Sequence, residues 1–282
     1  MEKLLCAMEE RSEMRLAEFG IISALLLCCG AIQTDAAVMR TEKAREYQLA
    51  YNLAIDQAAE DALYSLAEWD DGRLAEVNRD IAAAQFFESL ARLLPGQIYE
   101  EDQNTLNYYV PLLIFVERDG FSFYEWQESE GGWNRSFSDK ILYSSRLEDM
   151  TIYYTLTDDI RIYGSEGELL GEGDYHDLYL FFSIPLLKPE VFDQARRICI
   201  CNLLKQEIEA ALLRADTIGR KYGWTYEFSL PVIDGEDWYN TIDDISVLAL
   251  YQQYPFAVPG RKMMPRMAVG GARLVKRREV QM

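Results

Sequence analysis

Histidine is almost absent from this chain: His176 is the only one in 282 residues. A zinc-binding helix with two histidines is therefore excluded. A Ser-His-Asp triad would have to use His176, yet no nucleophile-elbow motif accompanies it. Cysteine is scarce as well. Cys28 and Cys29 fall in an apolar run. Cys199 and Cys201 have the wrong spacing for a redox or zinc pair, and on a helix they turn to different faces. No disulfide framework results. Positive charge is in deficit, with 28 Lys and Arg against 47 Asp and Glu, and a net charge of −19 argues against general nucleic-acid binding. Glycines that could cradle phosphate (Gly164, Gly167, Gly171 and Gly173, or Gly270 with Gly271) match no phosphate loop. Repeats with a period of roughly 20–50 residues are lacking too, which excludes a repeat array.

What is present describes a folded protein with an address. Hydrophobic content of 49% and 12% aromatics exceed what a disordered chain carries, and the length fits one large domain or two small ones. The segment from Phe19 to Ile32, FGIISALLLCCGAI, has no charge. A bilayer core of about 30 Å needs roughly 20 apolar residues, so this run is short by itself. Extended to residues 16–38 it reaches that length, with Glu18 and Asp35 near its ends, where water and headgroups still reach. Gly20, Ala24, Gly30 and Ala31 are small residues of the kind that let helices approach in lipid. The expectation is a single-pass transmembrane segment over 16–38. A cleaved or lipidated signal and a buried core helix are the alternatives. Residues 1–15 form an acidic extension, a poor lead for a signal peptide; a start at Met14 would instead place Arg15 directly before the apolar run. Cys28 and Cys29 read as small hydrophobes of a membrane helix, as acylation sites, or as part of a segment that resembles a lipoprotein signal.

Residues 36–69 have no Pro or Gly, are rich in Ala, Leu, Glu and Gln, and place Tyr47, Tyr51, Ala54, Ala58, Ala62 and Leu66 on one stripe. They predict a helical stalk over 39–70 that continues the membrane helix and ends at Asp70-Asp71-Gly72. A head over 71–260 follows. A helix is predicted from Leu74 or Asn78 to Leu94, stopped by Pro95-Gly96. Residues 108–127 predict a hairpin around Arg118-Asp119-Gly120, with Pro111 keeping its strand at an edge or an irregularity. Residues 128–140 read as a polar loop, 151–156 and 160–163 as strands, 164–174 as a connection, and 178–184 as a strand. A long helix is predicted from Pro189 to Gly219 or Gly223. Residues 224–230 and 268–275 read as strands, and 242–251 is ambiguous. Helices and strands do not alternate, so the fold class is α+β. A long N-terminal helix, membrane plus stalk, precedes a mainly antiparallel sheet head with packed helices.

No constellation amounts to a catalytic, cofactor or metal site. His176 lies within Asp174-Tyr175-His176-Asp177, but no second ligand cluster accompanies it. Glu166, Glu168, Glu172, Asp174 and Asp177 lack the spacing of a calcium loop. Glu117 with Asp119, and Asp158 with Asp159, could be paired as acid and base, yet each pair sits at a predicted turn, where Asp is common for conformational reasons. The tail over 261–282 is different: Arg261, Lys262, Arg266, Arg273, Lys276, Arg277 and Arg278 put seven positive charges in an otherwise acidic chain. It reads as a solvated tail, or as a contact surface for anionic headgroups or an acidic neighbour.

Glu18-Phe19 at the start of FGIISALLL, followed by an Ala-rich amphipathic stretch and an α+β head, resembles the pilin-like proteins, including minor pilins and pseudopilins of type IV filaments, secretion systems and Tad-type pili. The resemblance, which covers the N-terminal helix and stalk only, implies that Glu18 aligns neighbouring subunits in the membrane, with Phe19, Gly20, Cys28 and Cys29 on the same membrane helix. Separately, the charge of the tail makes Arg273, Lys276, Arg277 and Arg278 its candidate contact residues. The expected function is a non-enzymatic, membrane-anchored envelope protein, a pilin-like or secretion-apparatus subunit. Its partners would be the membrane and other envelope or filament subunits, with no nucleic acid and no identified small-molecule substrate. The alternative is an anchored or lipidated extracytoplasmic ligand-binding module with a pocket between the hairpin and the long helix. Arg40, Lys43 and Arg45 beyond the apolar run would place the head in the cytoplasm if Met14 is the start. The resemblance implies that the head faces outward.

Overall fold

A strand with no exposed residue, β3 (Leu112–Glu117, LLIFVE), explains the architecture around it. The structure is a computed structural model that describes residues 31, 33–43, 45–46, 49–70, 73–94, 106–107, 109–129, 132–221, 244–252 and 267–273. It divides into two compact units, Met1–Ala50 and Tyr51–Met282.

In the first unit the described residues are helical, and all are exposed except the half-buried Ala36 and Ala50. Val38, Met39 and Leu49 are among those exposed. Among the described residues no helix is long and apolar enough to cross a membrane. The run that begins at Phe19 lies almost entirely outside the described residues.

The second unit begins with α1 (residues 51–66), a short hairpin of β1 (Ala67–Asp70) and β2 (Arg73–Val77), and α2 (Arg79–Leu93). Asn78 caps α2 by accepting from the Ile81 N–H at 3.1 Å. Around β3 a six-stranded antiparallel sheet is assembled from β4 (Gly120–Ser129), β5 (Gly132–Phe137), β6 (Ile141–Leu142), β11 (Ser246–Gln252) and β12 (Met267–Arg273). The main order is β12-β11-β3-β4-β5, with β6 on β4. A second sheet, β10-β9-β8-β7, comprises β7 (Ser144–Arg146), β8 (Met150–Tyr154), β9 (Asp159–Gly164) and β10 (Leu169–Asp174). Two further helices are α3 (Tyr175–Phe182) and α4 (Phe192–Lys221).

Period-two alternation divides β3 between two cores. Leu112, Ile114 and Val116, with Phe121, Phe123, Leu248 and Leu250, join Ile152 and Ile162 of the second sheet and Ile200, Leu204, Ile208 and Leu212 of α4. Leu113 and Phe115, with Val247, Ala249 and Tyr251, join Tyr51, Ile55, Leu63 and Leu66 of α1 and Phe86 and Leu90 of α2. A strand covered on both faces has to be apolar throughout, and LLIFV meets that need.

The α+β class and the antiparallel head stand. Several local expectations do not. Residues 51–66 belong to the second compact unit and are built into its core, and the helix ends at Leu66 because 67–77 form a hairpin. Pro111 is not in an edge strand. It lies just outside β3, a central strand, where its missing N–H costs no ladder bond. Residues 128–140 contain β5, an edge strand with one residue in left-handed backbone at its start, Gly132 (φ +117°). Residues 169–174 form β10 on β9. Residues 178–184 belong to α3 and its C-terminus; Asp174 starts that helix by accepting from the His176 N–H at 2.8 Å. Residues 246–252 settle as a strand, and the expected strand at 224–230 lies outside the described residues.

Candidate functional site

At the β3–β4 turn the chain reads Glu117-Arg118-Asp119-Gly120, with Glu117 paired across to Gly120 and Arg118 and Asp119 at the tip. Strand alternation turns Glu117 inward, where it is 4% exposed. It is paired twice. Arg79 at the start of α2 donates through Nε and, at 3.1 Å, through Nη2, and Lys140 Nζ lies 2.9 Å from Oε2. Lys140 also pairs with Asp119. Burial pushes the Lys140 ammonium down, but hydrogen bonds to Asp119 and Glu117 outweigh it and hold the group above its ordinary 10.5. Beneath, the buried Tyr143 hydroxyl donates toward the carbonyls of Gly120 (2.9 Å) and Glu117 (3.1 Å). Its burial, with Glu117 and Asp119 adding repulsion, raises that hydroxyl well above 10. Glu117 and Asp119 thus both pair with Lys140 and pin the turn in place.

Beyond the turn lies a cleft of about 730 Å³. Its floor is mainly the outer face of the second sheet: Ile152, Tyr154, Ile160 and Ile162 belong to the core, so Tyr153, Arg161 and Tyr163 take the other face, and Tyr154 and Ile160 also border the cleft. Tyr153 stands opposite Arg161, and Arg161 opposite Glu172. Arg161 Nε donates to Glu172 Oε1 at 2.8 Å, a bond that raises the guanidinium above its ordinary range. The Tyr153 and Tyr163 rings meet edge to face, 5.4 Å between centroids. Arg118 and Asp119 form part of the cleft wall, and Arg118 pairs with Asp159 across it. The Leu156 N–H donates to the Arg118 carbonyl at 2.7 Å and fixes the turn to the second sheet. Both guanidinium groups of the lining are matched by carboxylates. The cleft therefore offers donors, acceptors and aromatic faces without a strong net field.

The residues singled out from sequence are scattered. His176 is exposed in the first turn of α3, and Asp174 is the cap. Among the described residues no group of three or more His, Cys, Asp or Glu is placed to hold a metal ion. Asp158 and Asp159 diverge in role: the Asp158 carbonyl accepts from the Tyr175 N–H at 2.9 Å, and the Asp159 carboxylate holds Arg118. Cys199 and Cys201 are not in a disulfide. Cys199 donates to the Ser144 carbonyl at 3.2 Å, and burial pushes its thiol up to about 11, far from a reactive thiolate. Between the β3–β4 hairpin and α4, where a ligand pocket was expected, Phe121, Phe123, Leu204 and Ile208 belong to one buried core. Arg273 ends β12, opposite Ser246. Glu18, Phe19, Gly20, Cys28, Cys29, Lys276, Arg277 and Arg278 lie outside the described residues.

Sequence reading missed the cleft. The available signal was two outward tyrosines in alternating strands, Thr151-Ile152-Tyr153 and Arg161-Ile162-Tyr163, where a solvated sheet face ordinarily carries smaller polar residues. No family model, curated protein or solved structure matches this chain.

Proposed function

We propose that the chain is a non-enzymatic, membrane-anchored envelope protein, a pilin-like or secretion-apparatus subunit. Its segment 16–38 crosses the membrane once, and a helical rod joins that segment to an extracytoplasmic head. The supporting observation is the helix of the first unit, where Val38, Met39 and Leu49 are exposed and no described residue is buried. A helix of this kind gains little stability from itself, because most helical stability in proteins comes from packing an apolar face. Lipid before it and neighbouring subunits beside it would supply that packing. Glu18, if it sits in the bilayer, would need a partner in an adjacent subunit. The basic tail with Arg273, Lys276, Arg277 and Arg278 would contact headgroups or an acidic neighbour.

Fractionation with protease protection of the full-length chain tests this reading. The chain should pellet with membranes, resist high-salt washing, dissolve in detergent, and lose its head to protease added to intact cells. A product that stays in solution without detergent overturns it. A second reading, an anchored or lipidated extracytoplasmic ligand-binding module, is favoured by one observation: the cleft of about 730 Å³ with its two tyrosines.

A further inference from the structure

We propose that the cleft between the β3–β4 turn and the outer face of the β7–β10 sheet binds a neutral oligosaccharide. The inference rests on the ligand-binding reading and does not depend on how the chain is anchored.

Size, surface and charge lead to the same class. The volume of about 730 Å³ lies within the roughly 300–1,000 Å³ typical of small-ligand sites, enough for a few sugar rings in an open cleft. Tyr153 and Tyr163 are half-buried and meet edge to face, so parts of both rings remain available in the lining. An aromatic ring offers an apolar face for the C–H side of a pyranose, and a tyrosine adds a hydroxyl at the edge. Beside them, Arg161 with Glu172 and Arg118 with Asp159 set guanidinium donors next to carboxylate acceptors. Vicinal sugar hydroxyls each donate and accept, and such paired groups meet both needs at once.

Charge excludes the obvious competitors. An anionic ligand would meet the carboxylate of Glu172 or Asp159 beside each arginine, and a cation would meet the guanidinium beside each carboxylate. A neutral polyol joins both pairs without breaking either. All four charged side chains are about half exposed, so these pairs add little to folding and the fold does not require them.

The test uses the full chain in a zwitterionic detergent without a sugar headgroup. N,N′,N″-Triacetylchitotriose, cellotriose and maltotriose are titrated calorimetrically beside the uncharged, terminally blocked peptide acetyl-Gly-Ser-Gly-Ser-amide. At least one trisaccharide should bind saturably, with an affinity that changes less than about twofold between about 50 and 500 mM salt, since no net charge is engaged. Tyr163→Ala and Arg161→Ala should each weaken binding by about tenfold or more, while Tyr163→Phe stays within about threefold. Tyr153→Ser and Glu172→Gln carry the same test if Tyr163→Ala lowers the unfolding temperature. Saturable binding of the peptide alone overturns the saccharide assignment and leaves the ligand-binding reading standing. Binding of neither, or saccharide binding unmoved by the cleft variants, overturns both for this cleft.

Discussion

Glu125 on β4 shows how far an ion pair can compensate for burial when its partner stays wet. Its side chain is 8% exposed while that of Arg214 is 47% exposed, and Arg214 Nη2 reaches both carboxylate oxygens at 3.1 Å. Loss of hydration still outweighs the attraction of Arg214, and the carboxyl is held above its ordinary 4.5. Folded protein thus holds this proton more tightly than the unfolded chain. The group's contribution to stability is complete below pH 4.5 and is lost as pH rises through the raised value. Glu125→Gln removes the titration and keeps the shape. Denaturant unfolding of both proteins across that window should show wild-type stability declining relative to the variant as pH rises. The difference should remain about 1–2 kcal/mol or less, because a half-exposed arginine loses little on losing its partner. A wild type that instead gains on the variant with rising pH would mean that Arg214 dominates. Arg135 solves the same problem differently: its guanidinium donates to the carbonyls of Asn107, Val110 and Tyr124 and lies over the rings of Phe87, Tyr124 and Trp126, so hydrogen bonds and aromatic faces replace hydration.

Among the elements, close approach decides what glycine does at the start of β4. A Cβ on Gly120 would lie 2.4 Å from the Ile141 carbonyl oxygen, which is backbone and cannot swing aside as a side chain does. Gly120→Ala should therefore part β6 from β4 at the Gly120–Leu142 pair and disturb the neighbouring Tyr143. A loss of about 1–3 kcal/mol is expected from such overpacking, with faster amide exchange confined at first to 141–143. An unchanged melting temperature and unchanged exchange there would show that β6 yields freely. The hairpin this glycine opens was legible in sequence because an apolar run, an Asp-Gly turn and an alternating run coincide. So were α2, α4, β8 and β9, whose periodicities carry over several residues. β5 and β10 were not, since edge strands of polar and glycine residues bury too little to leave a pattern. α3 was mistaken for a strand because LYLFFSI is apolar throughout, and its start signal, Asp174 capping the His176 N–H, lay in a motif weighed for metal binding instead. Of the site, Glu117 and Asp119 were visible, but Arg79 and Lys140 are brought to them only by the fold.

For the whole molecule, the informative feature is where one helix-prone stretch changes its surroundings. Residues 36–69 keep one composition throughout, so sequence alone predicts a single stalk. The unit boundary nevertheless falls between Ala50 and Tyr51. From there Tyr51 stacks on Tyr251 of β11 at 5.8 Å between centroids, and Ile55, Leu63 and Leu66 are buried in the core shared with α2. The physical difference is a partner surface: the described residues before Tyr51 are mostly exposed, whereas from Tyr51 on the six-stranded sheet and α2 supply one. A chain beginning at Tyr51 keeps every described side chain of that core. A chain beginning at Ala67 loses four large buried ones, each contributing about 1.5–3 kcal/mol by burial. Their sum is comparable to the roughly 5–15 kcal/mol that separates a folded domain from its unfolded chain. Residues 51–282 should therefore melt cooperatively within a few degrees of the full-length chain by circular dichroism. Residues 67–282 should aggregate or lack a cooperative transition, because one face of β3 and β11 then keeps α2 but loses the cover of α1. If 51–282 also fails to fold, the exposed helix of the first unit contributes to the head, and the boundary at Tyr51 is not a thermodynamic one.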